Sequence, residues 1–251
     1  MAKNVFFTGI YTDINIKSTL IEKGFDKMSS EIPSVFYLAN AGIYLTDGKT
    51  GILVDGLFDS YEGFDPLPQS IEDAVMKKQA PFESLTALLF THTHTDHYSD
   101  RKVSAFLKQY PETTLLLPDS QIFPGLCPIP CRHLLDKGKT VPHTALFLEY
   151  SGQNFFFSGD SDPVYLNRNM PQEILSACRS HIHMAFVNPF FFFLTPGRKF
   201  LDNLDPEVIF VYHMPIQVQD SLRYHEILQH GLSKYTIKTA TPLLQFMYKL
   251  Q

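Results

Sequence analysis

Residues 91–100 read THTHTDHYSD and directly follow the apolar run LTALLF. Three histidines and two aspartates in ten positions concentrate the imidazole and carboxylate donors that proteins offer to divalent metals. In an extended chain, side chains at i, i+2 and i+4 share a face. His92, His94 and Asp96 therefore point the same way if the chain stays extended beyond the buried run. His97 departs from that period at the turn into the next helix, where it reaches a second point beside the first. The spacing suits two neighbouring metals. A polar loop in which histidines only solvate accounts for a lone H-x-H pair, such as His181 and His183, but poorly for H-x-H-x-D-H behind a buried strand.

Partners stand elsewhere in suitable settings. TVPHTALFLEY sets His143 just before a strand-like run, FFFSGD ends another with Asp160, and VIFVYHM ends a third with His213. On these residues the chain resembles the metallo-β-lactamase superfamily, whose signature is H-x-H-x-D-H followed by a distant His, Asp and His in that order. GILVDG resembles the family's upstream aspartate motif at Asp55, so the resemblance spans roughly residues 34–213. It implies a first metal held by His92, His94 and His143, a second held by Asp96, His97 and His213, and Asp160 bridging them. It also implies that Asp55 supports the site by hydrogen bonding without binding metal; read alone, Asp55 is an ordinary turn aspartate. Such a donor set suits two Zn2+ ions and also accepts Mn2+ or Fe2+. The implied reaction is hydrolysis of a small ester, lactone or phosphodiester by metal-activated water, with Asp96 placed to accept its proton.

The segment MAFVNPFFFFLTPGRKFLDNLDPEVIFVYHM resembles the branch that contains ascorbate-6-phosphate lactonase-like proteins and phospholipase D-type metal-dependent hydrolases. There an apolar strand leads through a proline-containing loop and a short helix to the final histidine. The chain departs from that pattern: Phe190, Phe191, Phe192 and Phe193 replace a glycine-rich loop, and GDSDP replaces GDT. Ser99 also stands where glyoxalase-type and RNA-processing members carry glycine. A phenylalanine run bordering the metal pocket would favour a substrate with an apolar or planar part, and otherwise it is core at a strand end. His181, His183 and Tyr212 are candidates for protonating a leaving group, each equally at home as a structural residue.

Positioning such a site requires strands that end together. Strand-like runs occur at 5–10, 34–46, 51–56, 85–91, 113–118, 145–150, 154–159, 184–189 and 207–213, and several are continuously apolar, as in sheets covered on both faces. Helix-like stretches lie near 68–79, 98–110, 171–181 and 220–230; Val103, Phe106, Leu107 and Tyr110 form one stripe, and His225 and His230 are read as surface residues. The expected class is α/β in a single domain over 1–251. With the resemblance, it is a four-layer αββα sandwich of two mixed β-sheets with outer helices.

Composition narrows the partners. A net charge of −5, from 21 basic and 26 acidic residues, offers no electrostatic footprint for nucleic acid. This argues against a metal-dependent nuclease, and the full second ligand set argues against iron-dependent sulfur or oxygen redox chemistry. DKGKT at 136–140 fails as a phosphate loop because His133 stands where glycine is required. The first residues lack the continuous apolar core of a signal peptide, and NPFFFFL is too short to span a bilayer. Cys127, Cys131 and Cys178 are an odd number, with prolines inside CPIPC in place of a zinc knuckle's turn. The expectation is a cytoplasmic protein with free thiols and a small-molecule substrate, without membrane insertion.

Overall fold

The computed structural model describes residues 3–8, 33–120, 123–134, 141–170, 181–216 and 235–240, with isolated positions between 220 and 228. The described strands form two sheets. The five-stranded sheet has the order β2-β3-β4-β5-β6, from Ser34–Ala39, Gly42–Thr46, Gly51–Val54, Leu85–Leu89 and Thr114–Leu116. The seven-stranded sheet has the order β12-β1-β11-β10-β9-β8-β7. Its members in chain order are β1 (Lys3–Thr8), β7 (Leu126–Cys131), β8 (His143–Tyr150), β9 (Gln153–Phe157), β10 (Met184–Val187), β11 (Val208–Val211) and β12 (Tyr235–Ala240). Both sheets are mixed: β2, β3 and β4 pair antiparallel while β4, β5 and β6 run parallel, and β7, β8 and β9 are antiparallel while β9, β10 and β11 are parallel.

The continuously apolar runs are explained by two cores on the two faces of each sheet. Met184 and Phe186 of β10 and Val208 and Phe210 of β11 enter the core shared with Ile52, Val54, Ala87 and Leu89 of the opposite sheet. Their alternates Ala185, Val187, Ile209 and Val211 face outward onto helices. These are α3 (Pro163–Asn169), α4 (Phe190–Phe193) and α5 (Thr195–Leu204), through Leu166, Phe191, Phe200 and Leu201. On the other flank, α1 (Gln69–Met76) and α2 (Asp100–Gln109) cover Leu53, Leu85 and Leu88 with Ile71, Val75, Val103 and Phe106. A one-residue slip of β11 would send each side chain into the wrong core, so period-two burial fixes the register. The layers are helix, sheet, sheet, helix.

The run 34–46 divides into β2 and β3 at Asn40, whose φ of 47° turns the chain. Two strands lie outside the sequence expectation, β7 and β12. β7 contains Pro128 and Pro130, which remove ladder donors. It forms because, among the described strands, it is the sheet edge and pairs only with β8, where a strand tolerates missing N–H groups on its open side. The stripe expected over 98–110 is α2, with Ser99 as its N-cap accepting from the Lys102 N–H. The helix expected near 171–181 lies almost wholly outside the described residues; of that near 220–230, Tyr224, Glu226 and Leu228 are helical. No helix among the described residues is long and apolar enough to cross a membrane.

Candidate metal centre

The C-terminal end of β5 meets the C-terminal ends of parallel β9, β10 and β11 on one rim. Thr91 and His92 follow β5, Asp160 follows β9, Asn188 follows β10 and His213 follows β11. Contacts across the rim include Thr144 N–H to Thr91 O at 2.9 Å and Asn188 Nδ2 to Gly159 O at 3.1 Å. The extended run expected through Asp96 stops at His94, because the N–H groups of His97 and Tyr98 both donate to His94 O and turn the chain. That turn divides the motif. His92 and His94 gather with His133, and Asp96 and His97 gather with Asp160 and His213, the donor atoms within each group lying within 4.8 Å of one another.

Asp160 lies between the two groups. Its Oδ2 is 3.1 Å from His213 Nε2, 3.4 Å from His133 Nε2 and 4.0 Å from His92 Nε2, while Oδ1 is 3.5 Å from His97 Nε2. The loop carrying it is held on every side. Tyr212 hydroxyl accepts from Gly159 N–H at 2.7 Å, Asn188 Nδ2 donates to Gly159 O and Ser161 O, and Ser158 Oγ accepts from Asn188 N–H. Gly159 has φ +50°, and a Cβ there would lie 2.6 Å from Thr91 Oγ1 and 2.9 Å from His143 Nε2, so glycine alone lets the loop come this close.

Asp55 is fully buried beneath both groups. It accepts from Thr91 N–H at 2.8 Å, from Thr91 Oγ1 at 2.6 Å and from His97 Nδ1 at 3.0 Å. With its own proton committed to Asp55, the Thr91 hydroxyl is left to accept from His92 Nδ1, 3.0 Å away. His133 Nδ1 likewise donates to Leu134 O at 2.5 Å. Each ring is thus held at Nδ1 and turns Nε2 toward the centre, the orienting bond that ligating histidines make. The Nε2 atoms of His92, His97, His133 and His213 are all buried without a hydrogen-bond partner. Buried polar atoms normally find one, and four orphaned nitrogens around one carboxylate fit a metal.

His143, which the resemblance places on the first metal, is arranged differently. Its Nε2 accepts the Asp160 N–H at 2.9 Å, so the proton sits on Nδ1 and points at Cys131 Sγ, 3.0 Å away. Cys131 in turn lies 3.3 Å from Ser161 Oγ, which donates to Ser158 O. Both imidazole nitrogens have partners, and it is His133, across the hairpin, whose ring nitrogen gathers with those of His92 and His94. Burial drives His143 down to about 3, against the pull of Asp160, and raises the Cys131 thiol to about 11. The imidazole is neutral and the thiol protonated, as this chain of donors requires.

The two groups differ in charge. Burial, with the neighbouring imidazoles of His97 and His133 adding to it, holds His92 well below and His94 below the usual imidazole range. Burial acts in the same sense on His97 and His213, but Asp160 together with Asp55 or Asp96 outweighs it, lifting His97 well above that range and His213 to about 9. Burial would raise Asp160, yet His213 and His97 hold it well below the carboxylate range. The second group thus sets two imidazoles between carboxylates that favour positive charge there.

Asn40, not singled out by the sequence, ties the loops of the second group together. Its Nδ2 donates to Asp96 O at 2.7 Å and its carbonyl accepts the His213 N–H at 2.9 Å. The phenylalanine run is placed elsewhere. Phe191 and Phe192 are buried in the outer core, and the rings of Phe190 and Phe193 pack on each other and on Tyr224, in the helical turn that follows Pro189. His181 and His183 precede β10 and so lie at the opposite end of the sheet. His183 Nδ1 accepts from Asn154 N–H, and His181 pairs with Glu207. Tyr212 is fully buried, with its hydroxyl on Gly159.

No protein-family model matches the chain, and no curated protein matches it by sequence. Solved structures match by shape. The metallo-β-lactamase fold protein YhfI from Bacillus subtilis aligns with a TM-score of 0.53 at 13% identity, over 87% of this chain and 99% of that one. Igni18, a metallo hydrolase from the hyperthermophilic archaeon Ignicoccus hospitalis, aligns with a TM-score of 0.54 at 15% identity, over 87% and 99%. The chain has the metallo-β-lactamase fold.

Proposed function

We propose that the protein is a metal-dependent hydrolase acting on a small ester, lactone or phosphodiester. His92, His94 and His133 hold one metal, Asp96, His97 and His213 hold a second, and Asp160 serves both. The observation that carries this reading is the convergence of four buried, unpartnered Nε2 atoms on the Asp160 carboxylate. Zinc is the first choice for five imidazoles and two carboxylates, with manganese or iron also accepted. Divalent ions bound there supply Lewis acidity, polarising a carbonyl or phosphoryl oxygen and acidifying water.

The chain's own part is orientation and proton transfer. Asp55 fixes the His97 ring directly and the His92 ring through Thr91. Asp96, kept ionised by His213 and His97 against the effect of burial, takes up a proton at its carboxylate. A cleft of about 650 Å3 bordered by Cys131, His133, Pro142, His143, Thr144 and Tyr165 opens beside the first group and is within the size range of small-molecule sites. The free thiols of Cys127 and Cys131 suit a reducing cytoplasm.

The test is metal analysis of fresh protein purified without chelator, followed by turnover on ester, lactone and phosphodiester panels. About two equivalents of metal are expected, with His94→Ala losing both activity and metal. Less than one equivalent would overturn the metal assignment. Full metal without turnover on any panel would leave metal-dependent binding in place of hydrolysis.

A further inference from the structure

The loop between β4 and α1 passes beside the second histidine group and is strapped there at both ends. Ser99 N–H donates to Leu57 O and Asp59 N–H to Thr95 O, each at 2.8 Å, joining its first half to the H-x-H-x-D-H turn. Ile216 N–H donates to Gly63 O at 2.8 Å and Phe64 bridges Pro215, joining its second half to the segment after His213. Two aromatic rings are fixed on this rim. Phe64 stands edge-on to the His213 imidazole, with centroids 4.3 Å apart at 84°, and Tyr61 stacks on Phe64 at 6.2 Å and 29°. Tyr61 is 54% exposed, and among the described residues it is the large hydrophobic side chain left on the surface.

A single exposed aromatic residue needs no explanation. This one continues an aromatic stack that begins on a residue of the proposed metal centre. We infer that Tyr61 and Phe64 form a subsite for a planar or apolar group of the substrate, an aryl or comparable flat substituent carried next to the bond that is hydrolysed. The inference rests on the hydrolase reading and adds a substrate class to it. Phe64 lies offset against Tyr61, and the exposure of Tyr61 leaves much of its ring open to a ligand. Aromatic pairs favour such offset contacts beyond the area they bury. The straps hold the ledge in place before substrate arrives, so little ordering is required on binding.

The test uses metal-loaded protein with phenylphosphonate and methylphosphonate at a pH high enough that both are dianions, with affinities measured by calorimetry and metal content in parallel. Phenylphosphonate is expected to bind about fivefold more tightly. Tyr61→Ala should bring the ratio close to one while leaving methylphosphonate affinity and metal content unchanged, and Tyr61→Phe should keep the ratio. Equal affinities in the native protein, no binding of either anion, or an undiminished ratio in Tyr61→Ala would overturn the subsite. Metal content below one equivalent marks failure of the underlying metal reading, and the subsite falls with it.

Discussion

Asp160 donates its backbone N–H to Nε2 of His143 at 2.9 Å while its carboxylate faces Nε2 of His133 at 3.4 Å. One histidine thus holds the main chain of the central aspartate, and the other shares its cavity.

This division separates two residues by experiment. His133→Ala is expected to lower bound metal from about two equivalents to about one. His143→Gln keeps an acceptor for the Asp160 N–H and should retain both metals. Elemental analysis of the two variants decides the matter, and the opposite pattern would return His143 to the ligand set.

Asp55 is the acceptor for three donors buried with it. Asp55→Ala leaves the Thr91 N–H, the Thr91 hydroxyl and His97 Nδ1 without their partner. The expected cost is about 2–4 kcal/mol in urea unfolding, with metal affinity weaker by about 10–100-fold because two imidazoles lose their orientation. A variant with native stability and native metal affinity would show that Asp55 is only a turn residue.

Tyr150 ties the sheets together on the flank away from the metals. Its hydroxyl donates to Thr50 O at 2.7 Å and accepts from Asp47 N–H at 3.0 Å, both in the β3–β4 turn. Burial raises it from 10.0 to about 12, although the Thr50 side-chain hydroxyl and the Asp47 N–H, each 3.0 Å from it, oppose the rise. The folded state therefore holds the proton more tightly than the unfolded chain. The contribution is complete below pH 10 and is lost as pH rises through about 12. Urea midpoints measured across that range should fall less steeply in Tyr150→Phe than in the native chain, and the variant should lose about 1 kcal/mol at neutral pH.

Much of the centre was legible along the chain. The motif at 92–97 stands behind a buried strand, and Asp160 and His213 end apolar runs that became β9 and β11. That His133 gathers with His92 and His94 was not legible. Cys131 pairs with His143 across the β7–β8 ladder, so His133 and His143 reach the same end of the same hairpin. His133 was hidden behind a strand with two prolines, whose edge position is a property of the sheet and not of the segment. Its signal was a histidine closely following an apolar run, as at the other sites. Asn40 was invisible for a similar reason, since its partners Asp96 and His213 are remote in the chain.

The sequence by itself determined the donor types, their order, the two-sided burial of the strands and the α/β class, because these follow from local period and composition. Only the tertiary structure decided which histidine gathers with His92 and His94, that Phe191 and Phe192 belong to the outer core, and that Phe64 stands beside His213 with Tyr61 stacked on it. The physical reason is that a ring nitrogen's role depends on where its other nitrogen is bonded and on which strand ends meet. Both are set by contacts between segments far apart in the chain.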